Sequence, residues 1–242
     1  MIYNGVLLRK EIKYFLNFNE YTSLVKIIKG IAKHDVNVRE DGRYSVSSLY
    51  FDDIYNSAYI LKKIGMPKTY KFRIRCYNNQ INNIKLEKKF KFGDYGGKDS
   101  EHISEDEYRS IISGIPISIN NSSSNLLKAF YVDTFTRLLK PEILVVYERE
   151  AFIWKIGSES LRITLDSKLQ WSLDSLDVFN TKAVYLNADS EDKYILEIKY
   201  HNNLPEIISD FLILLNRFAD GPSKYRLCRR QKENLNWRGC NG

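Results

Sequence analysis

Most of the residue types from which compact catalytic sites are built are scarce in this chain of 242 residues. It has three cysteines, Cys76, Cys228 and Cys240, widely spaced and odd in number, with no Cys-x-x-Cys pair. Three histidines, His34, His102 and His201, are scattered and read as surface or loop residues. Zinc fingers and a disulfide framework are excluded on these grounds, and reduced thiols in a cytoplasmic protein are the expectation. No apolar run of about 18 residues occurs, so no membrane-spanning helix is expected. No long apolar run precedes Arg9, so no signal peptide is expected. The longest apolar block, 211–215, reads as a helix face. There is no internal repeat, and the whole of residues 1–242 reads as a single domain.

Positive charge is what the chain has in excess, with 37 Lys and Arg against 30 Asp and Glu, a net +7. That imbalance asks for an anionic partner without naming it. No RRM, KH or helix-turn-helix signature is present, so nucleic acid is not the partner expected. The Asn-, Lys-, Ile- and Tyr-rich composition looks like that of an AT-rich bacterial genome.

Apolar and polar residues alternate with period two over 8–15, 44–52, 70–77, 84–92 and 144–154, and again over 160–166 and 194–200. Shorter strands are expected at 168–173 and 182–187. Such alternation marks strands with two chemically different faces. Helices are expected between them. Asn19 reads as the cap of one with Tyr21, Leu24, Val25, Ile28 and Ile31 on one face, and Ser104 with Glu107 as a capping box for one ended by Gly114. After a polar break at 120–124, a helix through Leu126, Leu127, Phe130 and Leu138 should stop before Pro141. Pro205 suits the first turn of a helix to Ala219, and Ser223 should cap a last one after a turn at 220–222. The acidic stretch 173–193 reads as a surface excursion. Many strands with few βαβ alternations argue for an antiparallel barrel with peripheral helices.

The strand parity carries the chemistry. Arg9, Glu11 and Lys13 share one face, as do Lys71, Arg73 and Arg75, and Lys85, Glu87 and Lys89. Arg149 lies with Tyr147 and Ala151; Arg162 with Thr164 and Asp166; Glu197 with Lys199. Opposite each lies an apolar face such as Phe72, Ile74 and Cys76. One charged face of an antiparallel sheet ordinarily meets water. A water-facing surface mixes signs, however, whereas these faces are mostly cationic. In a closed barrel they would line the interior, repel one another, and be relieved by a chain of phosphates. Carboxylates among phosphate oxygens ask for a hard divalent cation, Mn²⁺ or Mg²⁺, to bridge them. Removing one lumen Arg, at Arg73 or Arg162, is then expected to weaken phosphate binding without unfolding the chain.

Eight segments occur in a telling order: Arg9-Lys10-Glu11-Ile12-Lys13-Tyr14, Ser48-Leu49-Tyr50-Phe51-Asp52, Lys71-Phe72-Arg73-Ile74-Arg75-Cys76-Tyr77, Leu86-Glu87-Lys88-Lys89, Tyr147-Glu148-Arg149, Leu161-Arg162-Ile163-Thr164-Leu165-Asp166, Leu196-Glu197-Ile198-Lys199 and Ser223-Lys224-Tyr225. Together, over roughly residues 7–230, the chain resembles the VTC-type polyphosphate polymerase domain of the triphosphate tunnel metalloenzyme superfamily. The resemblance implies an α+β fold, an eight-stranded antiparallel β-barrel forming a triphosphate tunnel, with peripheral helices. It also implies transfer of the γ-phosphate of ATP onto inorganic polyphosphate with Mn²⁺ or Mg²⁺. By motif, Arg73, Arg75, Lys89, Arg149, Arg162 and Lys199 would act on the transferred phosphate. Lys13, Lys62, Lys98 and Lys224 would hold substrate, and Glu197, with Glu11 and Glu87, would bind metal.

The wider superfamily often opens on Glu-x-Glu-x-Lys, and Arg9 stands here for the first Glu. This fits the VTC branch and argues against a two-carboxylate hydrolase site on that strand. The 242 residues hold no counterpart of the phosphate-sensing and membrane domains of eukaryotic relatives. Coupling synthesis to translocation would then need a membrane-protein partner. A tripolyphosphate or nucleoside-triphosphate hydrolase and a non-catalytic polyphosphate-binding module remain alternatives, and the sequence leaves oligomeric state open.

Overall fold

The structure, a computed structural model, describes residues 2–3, 5–36, 38–116, 119, 123–189, 193–219 and 221–239, and the side chains of 238–239 are not described. Cys240, the 120–122 part of the expected polar break, 190–192 of the expected acidic excursion and Asp220 of the expected turn lie outside these residues. A hairpin of β1 (Ile2–Tyr3) and β2 (Val6–Leu7) leads into β3 (Arg9–Leu16) and α1 (Phe18–Ile31). There follow β4 (Lys33–His34), β5 (Arg43–Asp52), α2 (Ser57–Lys63), β6 (Lys68–Tyr77), β7 (Ile84–Phe92) and β8 (Tyr95–Ile103). Next come α3 (Glu105–Ile112), α4 (Asn125–Thr136), β9 (Lys140–Ile156) and β10 (Glu159–Ser172). The chain ends with β11 (Tyr185–Asn187), β12 (Tyr194–Tyr200), α5 (Glu206–Leu214) and α6 (Lys224–Gly239).

Strands pair in the order β10-β12-β3-β8-β7-β6-β5-β9, and β9 pairs back to β10. This closes an eight-stranded antiparallel barrel, the architecture expected, with β11 and β4 added on β10 and β9. Closure leaves the barrel strands with an inside and an outside, and the period-two sequences sort onto them. Outside, Phe72, Ile74, Cys76, Leu86 and Leu144 are buried beneath α3 and α4. On the far wall, Leu161, Ile163, Leu165, Leu196 and Ile198 are buried beneath α1 and α5. A third apolar cluster lies at one end of the lumen, where Tyr225 and Cys228 of α6 and Tyr59 of α2 pack on Tyr50, Ile143, Val145 and Tyr147. One mouth is therefore walled by helices.

Several local expectations are corrected. Asn17, not Asn19, caps α1, because Glu20 completes its capping box by accepting from the Asn17 backbone. The expected strands 160–166 and 168–173 are one strand, β10, with a bulge between Ser167 and Gln170. The α4 helix stops before Pro141 as expected but already ends at Thr136, so Leu138 lies past it at φ 53°, and Pro141 is inside β9 at a register shift opposite Phe51. The α5 helix ends at Leu214, short of Ala219. The α2 helix and β8 were not anticipated.

Candidate active site: a cation-lined tunnel

The register across the barrel puts the charged faces inward together. Arg73 is opposite Tyr50 of β5 and Glu87 of β7, and Arg75 is opposite Ser48 and Lys85. Lys71 faces Lys89, which faces Lys98. Arg149 is opposite Asp166, Thr164 opposite Glu197, and Lys199 opposite Arg162 on one side and Glu11 on the other. Arg73 and Arg75 are 6% and 5% exposed while Phe72 and Ile74 are buried outside, so the strand register is the one the parity predicted.

Three cavities with shared lining run along the lumen. At the α2 end, Lys13, Lys62, Lys71, Lys89 and Lys91 line the first. Arg73, Arg75, Arg149, Glu197, Lys199 and Lys224 line the second. At the opposite end the third has Arg9, Lys98 and Arg162 joining Arg73, Arg75 and Arg149. The structure thus brings all ten cations given a role by the resemblance to one lumen, Lys62 from α2 and Lys224 from the start of α6, while Lys85 lines none of the three cavities. Lys62 and Lys98 stand at opposite ends.

Within this lumen the cations differ in how they are balanced. Arg73 donates Nε and Nη2 to Glu87 Oε2 at 2.7 and 2.6 Å, and Nη1 to the Tyr50 hydroxyl. Lys98 and Ser100 also reach Glu87. Arg149 holds Asp166 at 2.6 and 2.8 Å, and Lys224 meets the same carboxylate at 2.5 Å. Arg162 pairs with Asp35 at 2.6 Å. Arg75 donates to the hydroxyls of Ser48 and Tyr147, both at 3.1 Å, and Lys71 lies over the Tyr225 and Tyr50 rings. Neither Arg75 nor Lys71 has a carboxylate within ion-pair distance among the described residues. Burial, then Lys89, Arg73 and Lys13, push the Lys71 ammonium well below its ordinary pKa.

Glu197 accepts from Lys199 at 2.7 Å and lies 3.3 Å from Lys13, which also contacts Glu11; Lys89 lies 3.3 Å from Glu11. Burial and Glu197 push the Glu11 carboxyl up, but Lys13, Lys89 and Lys199 outweigh them and hold it below its usual range. Glu11 and Glu197 supply hard oxygen donors to one place, already occupied by a cationic nitrogen, and this fits a hard divalent ion that also takes phosphate oxygens. Glu87 belongs to the Arg73–Lys98 pair instead, and among the described residues no three His, Cys, Asp or Glu side chains gather tightly enough to hold a metal unaided.

Sequence reading missed the neutral half of this wall. Tyr50, Ser48 and Tyr147 hold the two central guanidiniums. Their signal was weak because buried Tyr and Ser on a strand read as core.

A closed antiparallel barrel with cations converging from opposite walls is the geometry the sequence resemblance implied, and the VTC domain family matches residues 8–231. The chain belongs to the VTC domain family. Among solved structures, a candidate adenylate cyclase from Bacillus halodurans is similar at 13% identity and a TM-score of 0.50, with 87% of this chain and 89% of that one covered. A candidate adenylyl cyclase from Hippeastrum, with a dominant triphosphatase activity, is similar at 14% identity and a TM-score of 0.49, with 93% and 96% covered. At these identities the first likeness shows the tunnel fold alone. No curated protein matches the chain. For this VTC domain, no helix among the described residues is long and apolar enough to cross a membrane.

Proposed function

We propose that this VTC domain is a polyphosphate polymerase that transfers the γ-phosphate of ATP to an inorganic polyphosphate chain inside the barrel. The observation that carries it is the row of cations along both walls, among them the buried Arg75, which lacks a carboxylate partner among the described residues. A buried unpaired charge is costly, and a phosphate chain would relieve it with charge-assisted, bidentate contacts. Phosphoryl transfer needs positioning and charge stabilisation rather than a protein nucleophile, so a site without Ser/His or Cys/His pairs suits it.

In this reading Arg73, Arg75 and Arg149 hold the phosphate oxygens at the centre. Lys13, Lys62 and Lys89 hold them at the α2 end, and Arg162, Lys98 and Lys199 at the other. Glu11 and Glu197 would hold Mn²⁺ or Mg²⁺, which supplies Lewis-acid neutralisation of charge on the transferred group. Incubating the chain with ATP and Mn²⁺ and resolving the products on a gel tests this. A ladder of chains is expected. Free phosphate alone would make the domain a hydrolase, and unchanged ATP a binding module.

A further inference from the structure

Glu11 and Glu197 are on neighbouring strands but not directly opposite. The β3–β12 register sets Lys13 opposite Glu197 and Lys199 opposite Glu11. That two-residue offset puts an ammonium beside each carboxylate. Lys13 goes further, contacting Glu11 Oε1 and lying 3.3 Å from Glu197 Oε2, so one nitrogen bridges both acids. Among the described residues, the other ion-pair contacts of these carboxylates are also with lysines: Lys199 on Glu197 and Lys89 on Glu11. Three lysines therefore serve two carboxylates in a cluster largely shielded from water, with the Lys13, Glu11 and Glu197 side chains 16%, 12% and 6% exposed.

We propose that Lys13 is a resident counter-ion holding the place of a divalent cation between Glu11 and Glu197, so that metal enters only with a phosphate chain that draws Lys13 away. This rests on the reading that the tunnel takes a phosphate chain and a divalent ion. The reason is electrostatic. Lys13 and Lys199 already balance the two carboxylates, with Lys89 beside Glu11, so two further positive charges at low effective dielectric are repelled. A phosphate chain reverses the sign. It offers Lys13, Lys89 and Lys199 oxygens better matched to ammonium and frees the carboxylate oxygens they covered. No bond is made or broken in this exchange. Because binding free energies are linked, the chain favours metal by the same factor as metal favours the chain. The empty tunnel then does not trap free metal, and the buried acid pair always has a cation between its members.

The test is Mn²⁺ binding to the ligand-free protein, read by the loss of the free-ion electron paramagnetic resonance signal. Without phosphate, Lys13→Gln is expected to bind Mn²⁺ about tenfold or more tighter than wild type, and Lys13→Arg to match wild type. Equal affinity of wild type and Lys13→Gln overturns the proposal. Should Lys13→Gln not fold, the wild type alone decides. Mn²⁺ by itself is expected to leave its melting temperature unchanged, while Mn²⁺ with tripolyphosphate raises it beyond tripolyphosphate alone. A large shift with Mn²⁺ by itself overturns the proposal. No shift with tripolyphosphate in any combination would instead overturn the tunnel reading beneath it.

Discussion

Arg149 and Asp166 face each other across β9 and β10 and share two hydrogen bonds, Nε to Oδ1 at 2.6 Å and Nη2 to Oδ2 at 2.8 Å. Lys224 closes on the same carboxylate from α6, so one buried acid ties the barrel wall to the helix that walls its mouth. Burial pushes the Asp166 carboxyl up, but Arg149 and Lys224 outweigh it and hold its pKa below the usual value. A depressed native pKa means stability that is complete above the unfolded value and lost as pH falls through the native one. Asp166→Asn should cost about 3 kcal/mol at neutral pH by stranding two buried cations. It should also flatten the stability profile below about pH 4, which chemical denaturation across pH would measure.

Arg73 and Arg75 should respond in opposite senses to the same substitution. Arg73→Met leaves fully buried Glu87 without its bidentate partner and should lower the ligand-free stability by about 3 kcal/mol. Arg75→Met removes a buried cation held only by hydroxyls and should leave the melting temperature unchanged or raised. Both should weaken tripolyphosphate binding, about tenfold or more for one bidentate contact of about 2 kcal/mol. The sequence alone leads to the expectation that Arg73 or Arg162 can be removed without unfolding the chain; both have carboxylate partners, so a cost in stability is now expected at each.

Lys62 should make substrate binding depend on pH. Burial, then Lys91, Lys13 and Arg226, push its ammonium down to about 8. A phosphate partner favours the charged form, so binding takes up a proton above that value and affinity falls as pH rises through it. Lys62→Arg, which stays charged, should make this decline shallower between pH 8 and pH 9.5. Calorimetry in buffers of different ionisation enthalpy would show more proton taken up by wild type than by the variant.

Glu197→Gln should separate metal from phosphate. It keeps the shape beside Lys13 and Lys199 and removes the charge. Metal-dependent turnover should fall about a hundredfold or more, while metal-free polyphosphate binding stays or tightens because a repelling carboxylate is gone. Near-normal turnover with an unchanged metal requirement would make Glu197 a salt-bridge partner only.

The barrel was legible where the faces differ in chemistry. Strand β6 alternates Lys71, Arg73, Arg75 with Phe72, Ile74, Cys76, and the structure puts the first set inside and the second beneath helices. Strand β8 was not legible because its sequence, Tyr95-Gly-Gly-Lys-Asp-Ser-Glu-His-Ile103, has few strand formers. The seam explains its glycines. Strands β3 and β8 pair only at Arg9–Gly96 and Lys10–Tyr95, and a Cβ at Gly97 would sit 2.5 Å from Phe90 and 2.6 Å from Leu8. The Phe90 ring and the Leu8 side chain fill the space over Gly97, so a residue without a side chain fits there. Pairing partners also escaped the sequence reading. Alternation tells which way Glu87 points, and only the β6–β7 register tells that Arg73 meets it.

Whether the phosphate chain lies inside the barrel is decided by a crystal structure with tripolyphosphate and Mn²⁺. Phosphate density is expected in the lumen, with oxygens on Arg73, Arg75 and Arg149. A lumen without phosphate, in crystals where tripolyphosphate binds only the outer surface, would contradict this placement.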